Sequence, residues 1–149
     1  LAFLGTNPSA ELAERVAMRR WQSQQIAGGG DLVEFARTEL LPKYANNTVH
    51  RTRLETLVLS MAKAAGAAGF VNQWRALEQR PDSWCTLPQI ACPALILCGA
   101  NDNLCSVELH REMAAEISRG SLQIIADAGH LCTLDAPIAV NRALHRWLG

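Results

Sequence analysis

The sequence predicts an α/β protein, a parallel sheet built by a strand–helix–strand connection and preceded by a mostly helical stretch. Three observations carry that reading. Ala94-Leu95-Ile96-Leu97-Cys98 is an uninterrupted apolar run bounded by Pro93 and Gly99, too short for a typical helix and suited to a strand buried on both faces. A helical pattern with Leu109, Met113 and Ile117 on one face follows it, and then a second short apolar run, Leu122 to Ile125. From Pro8 to about Arg80, by contrast, helix formers dominate, and turn signals recur at Gly28-Gly29-Gly30, Pro42, Asn46-Asn47 and Gly66.

Each element has its own local reasons. Leu1 to Leu4 form a short apolar run stopped by Gly5, either a buried strand or the tail of one. Ser9 is expected to cap a first helix. Asp31 followed by Glu34, the acidic relative of a capping box, opens a second. Leu54, Leu57, Val58 and Met61 fall on one face of a third, and Phe70, Trp74 and Leu77 on one face of a fourth. Trp21, Trp74 and Trp84 are read as core-packing residues. "RPDSW" (80–84) reads as a turn and "LPQIACP" (87–93) as a linker with two prolines. Ser106 caps the helix after the first buried strand, and Gly120 ends it. Asp135 is expected to cap a final helix, with Pro137 tolerated in its first turn and Val140, Leu144 and Trp147 facing inward.

Composition narrows the function classes. At 149 residues, with 49% hydrophobic and 19% charged residues, the chain has the balance of one globular domain with a real core. Lys+Arg and Asp+Glu are equal at 14 each, so no charge excess points to nucleic acid or an anionic membrane surface. No apolar stretch approaches the roughly 18–20 residues needed to span a bilayer. Cys85, Cys92, Cys98, Cys105 and Cys132 include no CxxC pair and no zinc-finger spacing, so neither a metal nor a cofactor is expected. They read as reduced thiols of a cytoplasmic protein, Cys98 being buried. "LAFLG" is too short to be a signal peptide.

The two predicted buried strands are parallel, so their carboxyl ends point the same way. Asp102, in "GAND", lies just past the first, and His130, in "DAGH", just past the second. Both are delivered to one edge of the sheet, where open α/β folds place their ligand sites. Taken alone, Asn101-Asp102 is ordinary turn chemistry and a histidine after a strand is a surface or capping residue. Taken together, a carboxylate holding one imidazole N–H, with the other ring nitrogen free to accept a proton, form the orienting half of a catalytic triad.

"CPALILCGANDNLCSVELHREMAAEI" and "LQIIADAGHLCTLDAPIAVNRAL" resemble the last third of an α/β-hydrolase of the capped serine esterase type. The family's strand-to-acid motif matches Gly99-Ala100-Asn101-Asp102, and its histidine motif matches Ala128-Gly129-His130 with Asp135 and Pro137. The resemblance implies residues 1–7 as a core strand leading to a cap, 8–86 as a helical cap, and 87–149 as the C-terminal part of the core. It also implies Asp102 as triad acid and His130 as general base. Where many members place proline shortly after the acid, this chain has Cys105, read as a small apolar substitute.

The nucleophile elbow, G-x-S-x-G, does not occur in these 149 residues, nor do its cysteine and aspartate variants. Ser9, Ser23, Ser60, Ser83, Ser106, Ser118 and Ser121 all lack that context. The expectation is therefore a C-terminal piece of a carboxylic ester hydrolase that carries acid and histidine without a nucleophile, inactive by itself and acting as part of the parent on a small ester-like substrate. The alternative is a non-catalytic binding or interaction module derived from the same fold. A sheet of about three strands leaves edges uncovered, which predicts self-association or pairing with the missing N-terminal half.

Overall fold

The structure, a computed structural model, describes residues 1–44 and 51–149. The turn signal at Asn46-Asn47 lies outside the described residues. The sheet consists of β1 (Ala2–Leu4), β2 (Ala94–Gly99) and β3 (Gly120–Ile125), all parallel, with β2 in the middle. The run 94–99 is buried at every position, as expected of a central parallel strand.

Alternation along β2 sends its side chains to two layers. Leu95 and Leu97 pack with Ile125, Val140 and Ala143 against α7 (Pro137–Leu148). Ala94 and Ile96 pack with Met113 and Ile117 against α5 (Val107–Glu116). The Ser106 side chain accepts the Leu109 N–H, the cap read from the sequence. Gly120, in contrast, does not end α5. The helix stops at Glu116, and Gly120 opens β3, where a Cβ would stand 2.6 Å from Ala114 O, so the position has room only for glycine.

Between β1 and β2 the chain is helical. α1 (Ala13–Ala27) is followed by α2 (Leu32–Phe35), a π-helical turn (Ala36–Leu40) and α3 (Leu41–Tyr44). Asp31 caps α2, its carboxylate accepting the N–H groups of Val33 and Glu34. α4 (Arg51–Gln79) is interrupted at Gly66, whose φ of 64° and ψ of 176° only glycine adopts without strain. Two helices therefore occupy this span, as the turn signal indicated. Ile26, Leu32, Phe70 and Trp74 form the helical core, and Leu41, Leu54 and Val58 form a second cluster that reaches Leu131 beside the sheet.

Several expectations need correction. Ser9 caps no helix: α1 begins at Ala13, and the Ser9 hydroxyl accepts the indole N–H of Trp84 at 2.9 Å. Of the face Leu54, Leu57, Val58 and Met61, only Leu54 and Val58 are buried, while Leu57 is 38% and Met61 59% exposed. Trp21 is 60% exposed and packs in no core. The expected linker begins inside a 3-10 turn, Trp84–Gln89, that buries Leu87. Asp135 is not the cap of α7. It ends the short α6 (Cys132–Asp135) and turns its carboxylate back to the histidine loop. Taken as one span, Arg51–Gln79 has the length and composition to cross a membrane, although no continuous apolar run marks it and the break at Gly66 divides it.

Candidate active site

The loops after β2 and β3 are joined by main-chain hydrogen bonds. Ala100 N–H donates to Ile125 O at 2.8 Å, and Asn101 N–H donates to Ala128 O at 2.9 Å. The close approach needs Gly99, because a Cβ there would stand 2.2 Å from Ala128 O and 2.3 Å from Gly129 O. Asp127 takes a left-handed φ of 55°, a conformation that Asp accepts more readily than most residues, and so turns the chain toward His130. Gly129 N–H donates to the Asp135 carboxylate at 2.8 Å, which fixes the same turn from the other side.

This framework brings the two predicted residues together. His130 Nδ1 lies 3.0 Å from Asp102 Oδ2, with the Asp102 side chain fully buried and the His130 side chain 21% exposed. The other carboxylate oxygen, Oδ1, accepts the N–H groups of Leu104 at 2.8 Å and Cys105 at 2.9 Å. Burial by itself raises the Asp102 pKa. The hydrogen bond with His130, the two N–H groups and the imidazole charge outweigh burial and hold it below the ordinary 3.8. His130 moves the opposite way, from 6.5 to about 9, chiefly through its hydrogen bond with Asp102 and then through Cys105, against the lowering effect of burial.

Cys105 is thus more than an apolar filler. It is buried, and its sulfur joins one ligand atom each of Asp102 and His130 in a group whose members all lie within 4.8 Å of one another. Among the described residues, these three are the set whose donor types and spacing could hold a metal ion. Cys98 and Cys132 are buried thiols pushed up to about 11, mainly by burial, and so are inert at neutral pH.

Tyr44, at the end of α3, stacks on the imidazole with ring centroids 5.7 Å apart and planes 22° from parallel. Sequence reading missed it, since a lone tyrosine in a helical stretch carries no local sign of what it will face. Two cavities meet at Tyr44 and His130. One, of about 310 Å³, is walled by Leu32, Val58, Phe70, Trp74 and Leu134 and is largely apolar. The other, of about 580 Å³, reaches from His130 and Cys105 to a charged cluster on α1 and at Arg80.

A buried carboxylate paired with an imidazole beside an apolar cavity suits proton transfer. No family model matches the chain. It is similar, at 33% identity over 85 residues, to an (E)-2-((N-methylformamido)methylene)succinate hydrolase from Acinetobacter baylyi, a match covering 54% of this chain and 31% of that protein. Its fold matches a thermophilic esterase from Thermogutta terrifontis with a TM-score of 0.89 and 26% identity, over 99% of this chain and 54% of the esterase. It also matches an enol-lactonase from Burkholderia xenovorans with a TM-score of 0.78 and 21% identity, over 99% of this chain and 55% of that one. The chain spans about half the length of these solved structures.

Proposed function

Since the chain carries about half of an α/β-hydrolase fold, we propose that it contributes the acid and the base of a serine hydrolase acting on carboxylic esters or related acyl compounds. The observation that carries this reading is the 3.0 Å pair of His130 and Asp102 at the carboxyl ends of adjacent parallel strands. Asp102 holds Nδ1 and stabilises the imidazolium, leaving Nε2 to accept the proton of a nucleophilic hydroxyl. The same histidine then returns that proton to the leaving group and activates the water that cleaves the acyl-enzyme. The nucleophile and its oxyanion hole come from residues outside these 149, which contain no G-x-S-x-G. The apolar cavity receives the hydrocarbon part of the substrate.

The pairing raises the His130 pKa, so its capacity as a base increases as pH rises toward about 9. An active-site-directed fluorophosphonate applied to the complete gene product tests the proposal. Covalent labelling that disappears in His130→Ala supports it, and a complete product that takes no label refutes it. The absence of G-x-S-x-G favours a second reading, a binding module without chemistry, which that unlabelled outcome would select.

A further inference from the structure

We propose that the larger cavity beside His130 is a carboxylate-binding subsite centred on Arg80, which makes the preferred substrate an acyl compound with a second, free carboxylate. The substrate class rests on the hydrolase reading, but the anion site itself stands on the charge of the residues that line the cavity. The cavity is lined by four cations, Arg15, Arg19, Lys43 and Arg80, against a single carboxylate, Glu11.

That carboxylate is already committed. Glu11 Oε2 lies 2.7 Å from Arg19 Nη2 and accepts from Arg19 Nε at 2.8 Å, while Arg15 stands at 4.0 Å from Oε1. Arg19 is further fixed by its guanidinium lying 4.9 Å from the centroid of the Trp74 ring. Lys43 has only an exposed, 3.9 Å approach to Glu39. Arg80 has no ion pair among the described residues, and its Nε is buried without a hydrogen-bond partner. That buried nitrogen is closed to a ligand, but Arg80 as a whole is only half-buried and lines the cavity, and a planar carboxylate is the acceptor that its guanidinium fork matches.

Position converts this anion site into specificity. One cavity is lined by both Arg80 and His130, so a molecule whose anion is held at the first can present a bond to the second. Trp74 and Leu77 in the wall lower the local polarity and strengthen the attraction.

The test is a titration of the complete gene product with sodium succinate at constant ionic strength, followed by the fluorescence of tryptophan, since Trp74 lines the cavity. Succinamide and inorganic phosphate serve as the neutral and the tetrahedral comparison. The expected result is saturable succinate binding, no saturable response to succinamide, weaker binding of phosphate, and a loss of at least about tenfold in succinate affinity in Arg80→Gln. Lys43→Gln, an exposed change with little folding risk, is expected to weaken binding less. Equal responses to succinate and succinamide, tighter phosphate than succinate, or wild-type succinate affinity in folded Arg80→Gln would each overturn the proposal. Binding is read without turnover, so a product that hydrolyses no ester still supports or overturns this site by its titration and fails only the hydrolase reading.

Discussion

Asp102→Asn removes a charge from the dyad while keeping the shape of the side chain. The asparagine oxygen can still accept the N–H groups of Leu104 and Cys105, which isolates the change to the partner of His130. Raising an imidazole from 6.5 to about 9 corresponds to about 3 kcal/mol of preference for the protonated form. Asp102 supplies the largest part of that, with Cys105 second, so the variant is expected to lose about 1–3 kcal/mol. The sign fixes the pH window. A group whose pKa is raised on folding stabilises fully below its unfolded value, here 6.5, and ceases to do so as pH rises through about 9. The depressed carboxyl of Asp102 sets the acid limit, its stabilisation fading as pH falls below the ordinary 3.8. The deficit of Asp102→Asn is therefore large at pH 6 and small at pH 10. Denaturant unfolding at both pH values, with an NMR titration of the His130 ring, measures it. The ring pKa should fall from about 9 toward 6.5, the part due to Cys105 remaining. An unchanged His130 titration, or the same deficit at pH 6 and pH 10, would rule this account out.

Two further substitutions probe the frame around the dyad. Gly99→Ala places a methyl 2.2 Å from Ala128 O and should cost at least about 3 kcal/mol, read as a drop in the thermal midpoint. An unaltered midpoint would mean that the two loops are not held as tightly as described. Asp135→Ala leaves the buried Gly129 N–H without its carboxylate acceptor and should cost about 1–3 kcal/mol in urea unfolding, with His130 more mobile by NMR. A neutral result there would return Asp135 to the role of an incidental helix-end residue.

The sheet and the pairing of Asp102 with His130 were legible because both depend on local signals joined by one topological rule. A continuous apolar run between Pro93 and Gly99 defines a central strand, and parallel strands deliver their carboxyl ends to one edge. The Asp31 and Ser106 caps and the Gly66 break were legible for the same reason, as each acts within a few residues. What escaped depends on partners far away in the chain. Ser9 is satisfied by an indole 75 residues on. Asp135 looks like a helix cap until the loop at Gly129 folds back on it. Leu57 and Met61 follow a helical period, but nothing local shows that the apolar face is wider than the surface it meets. Cys105 becomes a partner of His130 only because the Asp102 carboxylate receives its N–H and draws the loop inward. Tyr44 gains significance from the imidazole it stacks on, and Arg80 from the cavity it lines.

The break at Gly66 has an architectural consequence for the apolar cavity. As one unbroken helix, residues 51–79 would form a rod of about 43 Å, long enough to traverse a bilayer. Broken, it supplies the same cavity with Ala62 and Ala65 from one arm and Phe70 and Trp74 from the other. The room available is thus a matter of the angle between two arms as well as of the bulk of the side chains that line it. A change at the joint itself, Gly66, which does not line the cavity, would alter its capacity while every wall residue stayed the same.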